Sequence, residues 1–403
     1  MLVCEERCTA CGACIQICTK NAIGYKYDNY GVKRAHINKN LCVNCGLCYK
    51  TCPALNPISG HIPTKCYAAW SQDIETRNKS ASGGVATELY KHYTKLDNWI
   101  AGVNISPDGK CKYSISKSMS FGYMNSKYTY SDTEDIYKQI SIKLVNSEKV
   151  LFIGLPCQVA GLKKYLTVKR ISADNLLTVD LICHGVPPEI YLEQHIKYIE
   201  KQKNKKTTEL AFRDSEFYTY TFTFTLRENG TCFYKKGVYR NDMYQIAYHK
   251  GIAYRDTCYN CKYANKYRQG DITLADFAGV GSIAKSNYDN KNVSCVLVNT
   301  PKGNDVVSEL IKNNRIYAEI RPIEEEYNTE SILHMPTPVP KERKIFLSEY
   351  EKHCDFEKAM KIAAKKIYIE NEIKYYLHIQ DIRRIMTKII PEKIREKIRR
   401  ILR

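Results

Sequence analysis

Eight cysteines fall in two runs of identical spacing, and no other feature of the 403-residue sequence restricts the fold as tightly. Cys8, Cys11, Cys14 and Cys18 follow C-x2-C-x2-C-x3-C; Cys42, Cys45, Cys48 and Cys52 repeat it, with Pro53 directly after the last. Three closely spaced thiolates wrap three irons of a 4Fe-4S cube, and the fourth cysteine of each run reaches across to the other cube. The pattern assigns Cys8, Cys11, Cys14 and Cys52 to one cluster and Cys42, Cys45, Cys48 and Cys18 to a second. Zinc takes four tetrahedral ligands, usually as paired CxxC knuckles, which leaves two triple runs with a trailing fourth cysteine unexplained. Ala10, Gly12, Ala13 and Gly46 are small enough to let backbone N–H groups approach the sulfurs.

This stretch resembles the bacterial dicluster ferredoxins, with Thr19 standing where proline usually follows the first run. Between the runs, apolar and polar residues alternate around Asn29 and Gly31, which predicts a short hairpin. Pro53, Pro57, Gly60 and Pro63 mark a linker over residues 54–65. No apolar stretch of signal-peptide or membrane-spanning length occurs, so the expected location is the cytoplasm, where the 18 cysteines would be kept as thiols available for metal ligation.

From residue 66 to about 330, strand and helix patterns alternate. Cys66–Trp70 reads as a strand, and Ser80–Tyr90 as a small-residue turn opening a helix. Such a turn is a ready phosphate site, although a plain N-cap with a glycine turn explains it equally simply. Val150–Ile153 reads as a buried strand running into Gly154-Leu155-Pro156-Cys157-Gln158 and a helix through Leu166. Leu177–Ile182 runs into Cys183-His184-Gly185, and Pro187-Pro188 start the next helix. Two cysteines thereby reach the carboxyl ends of strands, the edge where open α/β sheets bind ligands. Cys258 and Cys261 form a CxxC pair before a further strand, Asp271–Asp276. A third 4Fe-4S cluster, a zinc ion and inert thiols are all compatible with spacing this dispersed, and the cluster is the preferred reading. Cys4, Cys66, Cys111, Cys232, Cys295 and Cys354 read as buried thiols. His184 adjoins a candidate ligand, where hydrogen bonding to the backbone and proton transfer to a substrate are equal alternatives. Residues 217–236 alternate Tyr/Phe with Thr up to Asn229-Gly230, which predicts a type I′ hairpin of structural role.

The net charge is +19, and residues 341–403 alone hold 18 Lys/Arg against 10 Asp/Glu. A basic body suits an acidic redox partner or a phosphate-bearing cofactor. It would suit nucleic acid equally, but no nucleic-acid partner is expected. From Asn371 onward isoleucines recur at helical spacing opposite arginines and lysines, up to Pro391 and beyond. That face reads as a peripheral contact with the inner face of the cell membrane or, equally, as a helix docked on protein.

SASGGVATELY, GLPCQVAGL, CHGVP and CYNCKYANKYRQGDITLADFAG, in this order, resemble the beta-subunit family of coenzyme F420 hydrogenase and dehydrogenase. The resemblance implies an α+β ferredoxin-like dicluster domain over residues 1–60. It also implies an α/β domain over 66–335, with parts 66–145 and 150–335, and a basic helical tail over 341–403. Further, it implies FAD with Ser82, Gly83 and Gly84 against its phosphates, and a third cluster on Cys157, Cys183, Cys258 and Cys261. Electrons would pass between a redox partner protein and a two-electron coenzyme, a deazaflavin or a nicotinamide, and His184 is the candidate for proton transfer. Ala278 replaces the aromatic residue expected between Phe277 and Gly279, which favours the alternative of a non-catalytic electron-transfer adaptor.

Overall fold

The computed structural model describes residues 7–119, 124–217 and 219–377. Its amino-terminal part is an internal repeat written in backbone angles. Ala10 and Asn44 both have φ 51°, and Gly12 and Gly46 follow at φ 78° and 74°. Each glycine caps a five-residue helix, Ala13–Ile17 or Leu47–Thr51, and each helix ends on an extended cysteine, Cys18 or Cys52. Left-handed φ at both glycines is what lets three cysteines curl round one point before the helix begins. Strands β1 (Ile23–Tyr27) and β2 (Lys33–Ile37) form the expected hairpin, with Asp28 accepting the N–H groups of Tyr30 and Val32 at 2.9 Å each.

The body contains β3 (Lys65–Ser71), β4 (Trp99–Ile105), β5 (Cys111–Ser116), β6 (Ser131–Asp132), β7 (Val150–Gly154), β8 (Leu176–Leu181), β9 (Glu209–Ala211), β10 (Phe224–Glu228), β11 (Thr231–Lys236), β12 (Ile272–Asp276), β13 (Ser294–Val298) and β14 (Ile316–Arg321). Nine of these form one mixed sheet in the order β14-β3-β13-β12-β8-β7-β4-β5-β6. Its centre, β12-β8-β7-β4, is parallel, and the strands flanking it on either side are antiparallel. Successive residues of β7 enter different cores: Leu151 and Ile153 pack under the helices Val85–Lys95 and Pro301–Lys312, while Val150 and Phe152 pack on the other face. That second core takes in Cys11, Ala13 and Ile17 from the ferredoxin repeat, all buried. The repeat is thus fused to the body by shared apolar packing, Ile17 alone contributing about 1.5–3 kcal/mol.

Two expectations need correction. The Tyr/Thr alternation from residue 217 predicts a strand throughout, but Thr219–Thr221 forms a 3-10 turn and Phe222 has φ 47°. Only from Phe224 does β10 pair with β11, around Asn229 and Gly230 at φ 49° and 80°, as a type I′ turn requires. The segment from 341, expected to open a separate basic tail, continues the body core. Phe346, Tyr350, Phe356, Ala359, Met360 and Ala363 are buried against Tyr191, Leu192 and Tyr244, because the helices Lys341–His353 and Phe356–Ala363 each turn one apolar face inward. The basic face proposed for a membrane lies mostly beyond Leu377, outside the described residues.

Candidate iron-sulfur site

Cys8, Cys11, Cys14 and Cys52 line one cavity, with Thr9, Ala10, Gly12 and Pro53 between them. Cys11, Cys14 and Cys52 are buried. The other quartet is at the surface, where Cys45 is exposed and Cys42, Cys48 and Cys18 are partly so. Cys18 ends its helix as Cys52 ends the equivalent one, and its sulfur accepts the Ala22 N–H at 3.3 Å. The asymmetry comes from the body. A Cβ on Gly12 would fall on the Thr133 hydroxyl, whereas nothing stands within 4 Å of one on Gly46.

Cys157, Cys183, Cys258 and Cys261 line a second cavity, on the carboxyl side of the parallel strands. Gly154 of β7 is level with Asp180 of β8, so the two chain exits lie side by side. Cys157 is in the first turn of the helix Pro156–Lys169, which starts on Pro156 and is locked by Gln158. The Gln158 carboxamide accepts the Leu155 N–H at 3.0 Å and the Tyr113 hydroxyl at 2.7 Å, and donates to Ser131 O at 3.0 Å. Cys258 sits in the short helix Asp256–Tyr259, whose preceding residue, Arg255, also lines the cavity.

Burial pushes the Cys157 thiol well up, and the neighbouring Cys183, Cys261, Cys11 and Cys258 push it further. The same causes raise Cys183, and they raise Cys261 to about 11; burial likewise raises Cys11 to about 12. Sulfurs in this setting become thiolates only with cations among them, which is how a bound iron cluster couples to ligand deprotonation. Among the described residues no three His, Cys, Asp or Glu side chains close on a single metal ion, and both inner quartets surround a cavity instead.

The two cavities share Thr9. A Cβ on Gly161, one helical turn after Cys157, would stand 3.0 Å from the Cys11 sulfur. Arg255 crosses the boundary: buried to 2% exposure, it donates to Thr9 O at 2.6 Å, Cys8 O at 3.2 Å and Lys33 O at 2.9 Å. Tyr130 donates to Ala10 O at 2.7 Å beneath it. Arg268 also lines the second cavity, paired with buried Asp180 at 3.2 Å.

His184 lines the same cavity, half-exposed, with its Nε2 3.5 Å from Glu330. Burial opposes charge on this ring, but the Glu330 carboxylate outweighs it and the pKa is raised. Ser82, Gly83 and Gly84 lie elsewhere, before the helix Val85–Lys95. Ser82 donates to Val293 O at 2.7 Å, and the Gly83 N–H is taken by the Ser294 hydroxyl at 2.9 Å. A Cβ on Gly83 would lie 2.3 Å from Ala69 O, so close packing of the turn on β3 already requires this glycine. Gly84, at φ 86°, gives the helix no side-chain cap and leaves its first N–H groups open. Thr9, Gln158, Arg255 and Arg268 escape the sequence reading. Gln158 and Arg268 stand inside the motifs that carry the family resemblance, and Arg255 is three residues before Cys258, but contacts decide their part.

A dicluster module packed into a mixed α/β body, with a further cysteine quartet at the seam, defines an iron-sulfur electron-transfer protein. Residues 7–56 match the 4Fe-4S dicluster domain. Residues 147–326 match the family described as the C terminus of the coenzyme F420 hydrogenase/dehydrogenase beta subunit, and the chain is related to that protein, as its motifs imply. Among solved structures it is similar to a chain of the F420-reducing NiFe hydrogenase complex from Methanosarcina barkeri. The identity is 19% and the TM-score 0.44, over 76% of this chain and 92% of that one. No curated protein matches. Among the described residues no helix is long and apolar enough to cross a membrane.

Proposed function

We propose that the chain is a flavin-dependent iron-sulfur oxidoreductase with a third 4Fe-4S cluster on Cys157, Cys183, Cys258 and Cys261. It would exchange electrons with a deazaflavin or nicotinamide coenzyme at the body and with a redox partner protein at the ferredoxin end. The observation that carries this reading is the seam itself: Cys11 touches the helix of Cys157, and Thr9 borders both cavities. Clusters held there would be close neighbours, as electron transfer through protein needs. A bound flavin would take electrons as a pair and release them singly.

The chain's own residues have distinct tasks in this scheme. Gln158 fixes the loop that presents Cys157, and Arg255 and Arg268 set positive charge beside a site whose occupant is anionic. The uncapped start of the helix Val85–Lys95 is the candidate for a cofactor phosphate. Around exposed Cys45, the side chains of Leu41, Val43 and Tyr49 are 50–59% exposed and supply an apolar face for the partner protein. Peripheral lipid contact through residues 378–403, which hold 9 Lys/Arg against 3 Asp/Glu, belongs to the same reading. A chain ending at Leu377 that co-sediments with anionic vesicles as well as the full chain would remove that part.

Anaerobic purification followed by iron, sulfide and flavin analysis is the direct test. Three clusters give about twelve irons per chain, so about eight irons and no flavin would reject the proposal. The second reading, an electron-transfer adaptor, is favoured by the Gly83 N–H, which is already bonded within the protein. Steady reduction of the clusters by a reduced deazaflavin or nicotinamide, with no other protein present, would exclude it.

A further inference from the structure

Behind the sheet face that carries the body cavity, Cys66 of β3 and Cys295 of β13 bring their sulfurs to 3.8 Å. The strands are antiparallel, with Cys66 opposite Leu297 and Cys295 opposite Ala68, so the two cysteines are diagonal neighbours on one face. Both are buried, at 1% and 0% exposure. Two thiols in contact can be simple core packing, but the carboxyl group next to them is not.

Glu325 and Glu326 are adjacent and both fully buried. Glu325 is completely satisfied: Arg321 donates to it at 2.6 and 2.9 Å, and the N–H groups of Gly281, Ile283 and Ala284 converge on it. Neither carboxyl oxygen of Glu326 receives a hydrogen bond from a nitrogen or hydroxyl among the described residues, and the Tyr327 hydroxyl beside it has no partner either. The polar group Glu326 meets is the Cys295 thiol. Burial, then Glu330 and Asp276, raise the Glu326 pKa to about 9, so it is a neutral acid at pH 7. A buried acid with no donor of its own, set against a pair of touching thiols, is arranged to give a proton to sulfur.

We propose that Cys66 and Cys295 form a dithiol–disulfide couple that the iron-sulfur clusters reduce, with Glu326 as the proton donor. The step balances as follows. The S–S bond breaks as two electrons arrive, one at a time, from two reduced clusters, which become oxidised. One sulfur takes the Glu326 proton, the other takes a proton from water, and Glu326 is reprotonated from solvent past Glu330. Two S–H bonds are the product, and the reverse reaction returns both electrons to oxidised clusters. Ferredoxin-type clusters lie at lower potential than ordinary dithiols, so reduction of the disulfide is the downhill direction. The couple would hold electrons as a pair beside one-electron carriers. It rests on the reading that the cysteine quartets hold clusters.

The test uses the full chain purified without oxygen, with iron and sulfide measured on the same sample. The protein is equilibrated in oxidised dithiothreitol, freed of it, mixed with the one-electron reductant reduced methyl viologen, then acid-quenched, alkylated and mapped by mass spectrometry. A linked Cys66–Cys295 peptide that forms on oxidation and disappears as the clusters are reduced supports the couple. In Glu326→Gln the same peptide should form but be lost about 100-fold more slowly, the usual scale of a positioned acid. An unchanged rate there overturns the proton-donor role. Free thiols at both positions after oxidation, with iron and sulfide intact, overturn the couple alone. Absent iron and sulfide overturn both it and the function on which it rests.

Discussion

The Cys11 sulfur lies 3.0 Å from the point where a Cβ would stand on Gly161, so the inner ferredoxin quartet rests on the helix that presents Cys157 one turn earlier. Glycine inside a helix costs about 1 kcal/mol relative to alanine. Close approach is what the position gains in exchange. The Tyr137 hydroxyl is also 3.0 Å from that point, and it is held by a bond to Gln158 O at 2.9 Å. Neither neighbour can move without disturbing a cysteine loop. Gly161→Val should therefore destabilise the seam by about 1–3 kcal/mol and lower the iron retained by the inner sites. Anaerobic thermal unfolding with iron analysis measures both; an unchanged midpoint would mean that module and body separate freely.

Arg255 is a buried cation that bonds only carbonyl oxygens, those of Cys8, Thr9 and Lys33, and its Nε has no partner among the described residues. A buried charge without a counter-ion is costly, and the anions available to it are the clusters on either side. Removing it should disfavour the extra electron on each. Arg255→Gln is expected to lower the potentials of the two seam clusters by about 50–100 mV, from a Coulomb energy of about 2 kcal/mol at ~8 Å and an effective dielectric of ~20. The surface cluster on Cys42, Cys45 and Cys48 should shift less. Potentiometric titration followed by electron paramagnetic resonance separates the three, and equal shifts in all would contradict the placement.

Stability should fall between about pH 6.5 and 9. His195, 2% exposed, lies between Asp242, at 3.1 Å, and Glu357. Burial opposes its charge, but the two carboxylates outweigh that and raise its pKa to about 10. A histidine raised in the fold stabilises fully below its unfolded pKa of about 6.5 and loses that contribution as pH rises towards 10. Glu326, raised to about 9, acts with the same sign, since the unfolded chain ionises it from about pH 4.3 while the fold keeps it neutral. Each group contributes at most about 1.4 kcal/mol per pH unit within its window. Urea unfolding across this range measures the slope. His195→Gln should remove the histidine part and, by stranding two buried carboxylates, cost about 3–5 kcal/mol.

Much of this was readable in the order of residues, for definite reasons. Cysteine spacing is local, so the ferredoxin repeat, its hairpin and its strand-end cysteines follow from chain geometry alone. The Cys66 and Asp271 strands and the helices after Gly84, Leu155 and Pro188 announced themselves by apolar runs bounded by glycine or proline. Arg255 and Glu326 did not. One gains its meaning from carbonyls 222 to 247 positions away, the other from lacking a partner that its neighbour Glu325 has. The helices after residue 341 misled for a similar cause: high charge is plain in sequence, whereas the apolar face that buries Phe346 and Phe356 shows only against the helices it covers. Thr219–Thr221 shows the converse, an alternating pattern that tertiary contacts bend out of a strand.

Gly83 separates the two functional readings. If the turn existed mainly to admit a phosphate, a side chain there would weaken cofactor binding and leave the fold intact. Its surroundings indicate otherwise. A Cβ would stand 2.3 Å from Ala69 O and 2.7 Å from the Ser294 N, both backbone atoms of adjacent strands that cannot swing aside. Gly83→Ala should therefore destabilise the body by about 2 kcal/mol or more, whether or not flavin is bound. Ser82→Ala removes a hydroxyl that donates to Val293 O and accepts from Ser294 at 3.1 Å, without adding bulk, and should cost about 1 kcal/mol. The informative comparison is flavin content in Ser82→Ala at a temperature where it stays folded. A fall in flavin retention with the melting temperature nearly held favours the oxidoreductase, because the hydroxyl then serves the cofactor. Full retention, or no flavin in either protein, leaves Ser82 and Gly83 as pins between β3 and β13 and favours the adaptor.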